Sequence, residues 1–241
     1  MSTPSRPPLD ADALAARLRS DPQAAFAEVR DAALHGQVGA QLLLAQMYMD
    51  GKGTARDAEA ALLWYATAAN NGDAVAMNML GRCHELGQGT AIDLALAAVW
   101  YRRAADAGLD WGMYNHANLL ATGRGVAQDR RQALALYTRA AHLRHAKSMN
   151  LLARHLEDGL ETARDPQAAL KWYRRAAEAG DFRGQANYAS IVLQQGRIDE
   201  ALHWLRLALA HGSPAFMAHI VPQLATSPHP RVRALVEHPA D

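Results

Sequence analysis

A superhelical α-solenoid of antiparallel helix pairs is the all-α fold that this 241-residue sequence predicts. Three observations carry that expectation: a residue pattern that returns every 36 positions, apolar spacing of helical period within each unit, and glycine wherever a helix must stop. The alanine pair Ala68-Ala69 recurs at Ala104-Ala105, Ala140-Ala141 and Ala176-Ala177. Gly51, Gly87, Gly123 and Gly159 keep the same spacing, as do Asp57, Asp93, Asp129 and Asp165. The aromatics follow at Trp64-Tyr65, Trp100-Tyr101, Leu136-Tyr137 and Trp172-Tyr173. Several residue types held in one register over four copies are far beyond chance for this composition.

Taken in order, residues 1–35 are expected to form a degenerate capping repeat. Asp21-Pro22-Gln23-Ala24-Ala25 repeats Asp165-Pro166-Gln167-Ala168-Ala169 at a distance of 144 residues, and Glu28 and Val29 replace the aromatic pair, as suits a terminal unit with one face toward water. Residues 36–180 hold four full units and 181–212 a shortened fifth, in which Ala201, Trp204 and Ala208 follow Ala169, Trp172 and Ala176 by only 32 positions. Residues 213–241 are expected to cap the other end with short helices at 214–225 and 229–238, broken by Pro222, Pro228 and Pro230.

Within the unit that runs from Gly72 to Gly108, Ala76, Leu80, Cys83 and His84 share one helix face, and Gly87 ends that helix. A second helix starts at Asp93, a natural N-cap, and carries Ala97, Trp100, Tyr101, Ala104 and Ala105 on one stripe before Gly108. A hairpin this short cannot bury both its faces, so neighbours must stack. Small residues at Ala45, Gly81, Ala117, Ala153 and Ala189 let the axes approach.

Composition narrows the function. Lys+Arg 25 against Asp+Glu 24 gives none of the basic excess that a nucleic-acid backbone demands, so no nucleic-acid partner is expected. The balance is uneven, with 9 basic and 13 acidic side chains in residues 1–120 and 16 and 11 in residues 121–241; an acidic partner would prefer the C-terminal half. Arg130-Arg131 and Arg174-Arg175 fall on second helices and read as solvated outer surface. The lone Cys83 excludes an internal disulfide framework, no apolar run reaches membrane-spanning length, and the start MSTPSRPPLDADALAARL lacks the core of a secretory signal. A cytoplasmic protein without a membrane partner is expected. The 22 Arg against 3 Lys suggest a GC-rich bacterial genome.

The second unit reads A-x-A-x-x-x-L-G, then G-x-G-T-x-x-D, then A-x-x-W-Y-x-x-A-A-x-x-G. This resembles the Sel1-like repeat, a relative of the tetratricopeptide repeat, with Gly51-Lys52-Gly53, Gly87-Gln88-Gly89 and Gly123-Arg124-Gly125 as its loop glycines. The fourth unit departs from the pattern at Gly159-Leu160-Glu161. The resemblance implies a right-handed solenoid whose first helices line a concave surface, and a role as an adaptor that holds other proteins together.

The stripe opposite the packing face of each first helix supplies the candidate partner-binding residues. They are Asn78 and Arg82; Trp111, Tyr114 and Asn118; and Lys147, Asn150 and Arg154, flanked by Val75, Glu85, Glu157 and Arg183, with Asn115 added by a resemblance to a peptide-carboxylate clamp. Asparagine both donates to and accepts from a peptide backbone, an arginine fork grips a carboxylate, and Trp111 with Tyr114 would be rigid anchors. Arg82, Asn115 and Lys147 resemble part of the device by which some tetratricopeptide proteins hold a peptide carboxylate, although Leu151 stands where its last arginine would be. The competing reading of the same groups is that they solvate an unused face or bond between neighbouring helices.

Eleven histidines invite a catalytic or metal reading. His84, His116 and His155 fall on packing faces, as core histidines with bonded partners. His142 and His145 sit three apart, but no further ligand joins them in sequence, so no metal and no cofactor is expected. Cys83 aligns with core positions, and Gly51-Lys52-Gly53 joins two helices and is no phosphate loop. The reading is therefore a non-catalytic adaptor that binds another protein or a peptide segment, an acidic one among the candidates. One alternative is an inhibitor or immunity protein that blocks a toxin or enzyme. A second is a small-molecule-binding or hydrolytic Sel1-like protein; some cysteine-rich relatives have been linked to penicillin binding, but this chain lacks their cysteines.

Overall fold

The computed structural model describes residues 9–237 and contains fourteen helices among them, with no strand. It divides into two compact units, Met1–Arg130 and Arg131–Asp241. The first holds α1 (Ala11–Ser20), α2 (Pro22–Leu34), α3 (Val38–Asp50), α4 (Ala58–Asn70), α5 (Ala74–Leu86), α6 (Leu94–Asp106) and α7 (Asp110–Thr122). The second holds α8 (Arg130–His142) from its second residue on, α9 (Ala146–Asp158), α10 (Pro166–Glu178), α11 (Phe182–Gln194), α12 (Ile198–His211), α13 (Pro214–Ala225) and α14 (Pro230–Glu237). Residue 238, the expected end of the last helix, lies outside the described residues, as do residues 1–8 of the N-terminal cap.

Each hairpin is set by the same local chemistry. The first helix ends on a left-handed glycine, at Gly51, Gly87, Gly123 and Gly159, whose missing Cβ makes that conformation cheap. The second helix begins at an aspartate: the carboxylates of Asp57, Asp93 and Asp165 each accept the backbone N–H three residues on at 2.9 Å. Successive helices then pack as antiparallel neighbours, α3 on α4, α5 on α6, α9 on α10 and α11 on α12. The fold class is thus the all-α solenoid of antiparallel helix pairs.

The aromatic pair divides its labour. Tyr65, Tyr101 and Tyr173 are fully buried between helices, while Trp64, Trp100 and Trp172 lie half-buried at the edges of the core clusters. A buried phenol needs a partner, and the first helix supplies it: Tyr65 donates to Gln46 at 2.8 Å, Tyr101 to Glu85 and Tyr173 to Glu157 at 2.7 Å. Burial, reinforced at Tyr101 and Tyr173 by the carboxylate bond, pushes all three phenols far above their ordinary range. Gly81 makes room for one of these rings, since a Cβ there would stand 2.7 Å from Tyr101 Cδ1.

The loop at Gly159-Leu160-Glu161 keeps the backbone of the others: Glu161 adopts φ 56° where its counterparts are Gly53, Gly89 and Gly125. Arg144, at φ 67°, likewise occupies the turn position held by Gly36, Gly72, Gly108 and Gly180. A left-handed side-chain-bearing residue costs about 1–2 kcal/mol. Glu161 recovers part of that through His155, whose Nδ1 lies 3.1 Å from its carboxylate. Glu161→Gly is expected to raise stability by about 0.5–1 kcal/mol, because strain relief exceeds the loss of one modest side-chain contact with His155. Thermal melting of the variant checks this, and a lower melting temperature would contradict it.

Pro222 corrects an expectation. It does not break the chain but lies inside α13. Its ring is exposed, as is Ala218 one turn earlier, so the carbonyl deprived of a helical partner has water within reach.

Candidate partner-binding surface

In both units the first helices of successive hairpins touch one another, α5 with α7 and α9 with α11. At the contact, Asn115 donates its amide to Asn78 Oδ1 at 2.8 Å, and Asn187 donates to Asn150 Oδ1 at 2.8 Å. Asn78 and Asn150 are buried at 6% and 4% exposure. Both were expected on the open stripe; they are instead spent between helices, because the residues that face outward on an isolated helix meet the next first helix here. Asn115 is half-buried and equally committed. Asn187, absent from the expected set, is the fourth member.

The remaining members stay at the surface. Arg82 on α5 and Arg154 on α9 occupy the same repeat position, are exposed, and have no ion-pair partner among the described residues. Trp111 on α7 is 43% exposed and meets the half-buried Tyr114 edge to face, with ring centroids 5.9 Å apart. Val75 on α5, one repeat before Trp111, is 44% exposed. Asn118 and Lys147 are half-buried, and each already engages another group of the protein. Glu85 and Glu157 hold the buried tyrosines, and Glu85 also pairs with Arg124 at 3.4 Å. The first unit thus offers Val75, Arg82, Trp111 and Tyr114, and the second offers Arg154 and Arg183, whose guanidinium lies over the Phe182 ring at 4.6 Å.

The histidines have structural work. His142 Nδ1 donates to the Thr138 carbonyl at 2.8 Å, and His145 Nδ1 caps α9, taking the Ser148 N–H at 3.3 Å. Among the described residues no three His, Cys, Asp or Glu side chains converge on a metal position, and no helix is long and apolar enough to cross a membrane. Cys83 is buried, and burial pushes its thiol up to about 11, far from thiolate chemistry at neutral pH. His155 is half-buried rather than part of the core, and it donates to the Leu160 carbonyl at 3.0 Å. His84 and His116 differ from expectation: the Nδ1 atoms of both are buried with no hydrogen-bond partner among the described residues.

Burial lowers the pKa of both rings below the ordinary value; at His116 the Arg102 charge adds to the lowering. A neutral imidazole in the fold against one free to protonate when unfolded means that the unfolded chain binds more protons on acidification. Their stabilising contribution is full above about pH 6.5 and is lost as pH falls through the lowered folded values. Denaturant midpoints followed from pH 7 to about pH 5 should therefore fall, and His116→Leu should flatten that fall. An equally steep fall in the variant would contradict the assignment.

These features define a protein built of stacked helical-repeat hairpins. The Sel1 repeat matches at residues 38–73, 74–109, 112–145, 146–181 and 184–213, and the chain belongs to the Sel1 repeat family. Proteins of this family generally mediate protein–protein interaction and are typically non-catalytic. Among solved structures, a Sel1 repeat protein from Oxalobacter formigenes is 24% identical with a TM-score of 0.80, over 95% of this chain and 97% of that one. The protein c5321, a protective antigen present in uropathogenic Escherichia coli strains, is 28% identical with a TM-score of 0.73 over 86% of this chain. This chain spans about half of it, 47%. The immunity protein Pa5087 from Pseudomonas aeruginosa is 18% identical with a TM-score of 0.55, over 93% of this chain and 92% of that one. No curated protein sequence matches the chain.

Proposed function

We propose that the protein is a non-catalytic adaptor that binds a segment of another protein on the surface of its first helices, in a reducing, cytoplasmic setting where the single Cys83 stays a thiol. The observation that carries this reading is the combination, on adjacent helices of one unit, of an exposed tryptophan braced by Tyr114 with an unpaired guanidinium at Arg82. Aromatic and arginine side chains dominate binding energy at interfaces. Tyr114 holds the Trp111 ring in place, so less rotamer entropy is lost when a partner docks. Arg82 favours a segment that carries carboxylates, and Arg154 gives the first helices of the second unit the same preference on their own surface. Asn78, Asn115 and Asn150 act as struts that fix the spacing of the helices, and Asn118 and Lys147 border the surface.

Trp111→Ala and Arg82→Ala should each weaken capture of a defined partner by about ten-fold or more, the ordinary cost of losing an interface anchor, while helical content stays unchanged. Capture at full strength by both variants would move the site elsewhere. An inhibitor of a toxin would use the same surface; the likeness to Pa5087 speaks for the fold alone, and a toxin recovered as the partner would select that reading.

A further inference from the structure

In the second unit, the end of α8, the turn after it, the start of α9 and the second half of α10 line an open cleft of about 380 Å³. Its walls include His142, Arg144, Met149, Trp172, Arg175 and Glu178. Trp172 and Met149 make it partly apolar. The His142 ring meets Trp172 edge-on with centroids 5.2 Å apart, and the Arg175 guanidinium lies over the same indole at 4.7 Å. Neither Arg144 nor Arg175 has a carboxylate partner among the described residues. The acid in the wall, Glu178, is already held by Arg174 Nε at 2.8 Å. With Nδ1 of His142 committed to Thr138, the remaining polar atom of that ring is Nε2.

The corresponding place one repeat pair earlier shows what is particular here. Arg103 stacks over Trp100 at 4.6 Å in the same way, but the turn there carries Asn70 and Gly72 where this one has His142 and Arg144. Arg144 therefore adds a second guanidinium at a backbone position, φ 67°, that the other repeats give to glycine. A strained residue persists where the surroundings gain from the side chain it brings, and strain of this kind gathers at ligand sites.

We propose that this cleft binds a carboxylate carried beside an apolar side chain, gripped by Arg144 and Arg175 while the apolar group rests on Trp172. Two guanidinium forks without a carboxylate partner among the described residues match one planar anion, and the volume falls in the range of small-ligand sites. Glu178 in the wall disfavours a dianion such as phosphate, so the monoanionic carboxylate is the better fit. The carboxylate is that of a chain terminus or of an acidic residue between apolar ones. The site lies on a turn and on second helices, and stands whether or not the first-helix surface binds.

The test is a titration of the whole protein followed by NMR at the Trp172 indole N–H, assigned with Trp172→Phe, and at the Arg144 amide. The probes are N-acetyl-Ala-Leu with a free carboxylate, the same dipeptide amidated, N-acetyl-Leu-Glu-Leu amide, and inorganic phosphate. Saturable shifts with either carboxylate peptide, and none with the neutral dipeptide, are expected at millimolar concentration; the tighter of the two identifies the source of the carboxylate. Arg175→Gln and Arg144→Gly should each weaken binding about ten-fold, the loss of one charge-assisted contact. Arg144→Gly should at the same time raise the melting temperature, which a merely structural arginine at a relaxed position would not do. The proposal is overturned by silence with both carboxylate peptides, by an equal response to the amide, by tighter binding of phosphate, or by unchanged affinity in both variants.

Discussion

Replacing Gly89 by alanine is expected to destabilise the protein by about 2–5 kcal/mol, a left-handed backbone penalty and a backbone clash acting together. Gly89 sits at φ 73°, and a Cβ added to it would overlap the carbonyl oxygen of Ala58, the first residue of α4. Gly53 stands in the same relation to Pro22 of α2, and Gly125 to Leu94 of α6. Each loop tip therefore rests on the start of the preceding second helix. That contact couples one hairpin to the next, and in a repeat protein the interface terms decide whether the array unfolds as a whole. Gly72 is the control: its φ is 92°, but a Cβ there would meet nothing within 4 Å. Gly72→Ala should cost only the conformational part, about 1–2 kcal/mol. Urea denaturation of both variants separates the two contributions, and equal losses would show that the loop tips carry no coupling.

The asparagine pairs give the second large effect, and it is asymmetric. Asn187→Ala should cost about 1–3 kcal/mol, because it leaves the Oδ1 of buried Asn150 without a donor. Asn150→Leu should cost less. It removes the buried polar atom, and the half-buried Asn187 can turn its freed amide toward water. Asn115 and Asn78 should behave in the same way in the first unit. A double-mutant cycle measures the coupling within each pair, and independent, equal losses would contradict the pairing.

The repeats were legible because each unit solves the same stacking problem with the same residues: an aspartate to start a helix, a left-handed glycine to end one, a tyrosine to fill the layer. The partition of the first-helix stripe was not. A helix considered alone shows which residues point away from its own hairpin, but not how near the next hairpin comes; Asn78 and Asn150 were misplaced for that reason. A signal did exist, since Asn78 and Asn115, like Asn150 and Asn187, stand 37 residues apart, one more than the period, at two copies of one junction. His84 and His116 were expected to find partners, and packing left their Nδ1 atoms without them. Pro222 was misjudged because a proline stops a helix only where the lost hydrogen bond cannot be replaced by solvent. The division of the array into two compact units had no counterpart in the regular period of the sequence.

The central claim is that partners dock on the first helices, and photo-crosslinking tests it most directly. A benzophenone side chain placed at Val75 on α5, and in a separate variant at Val99 on α6, puts a reactive group on an exposed position of a first and a second helix of the same unit. The docking model requires irradiation with a bound partner to yield adducts from position 75 and few or none from position 99. Adducts formed from position 99 with none from position 75 would contradict it and place recognition on the second helices.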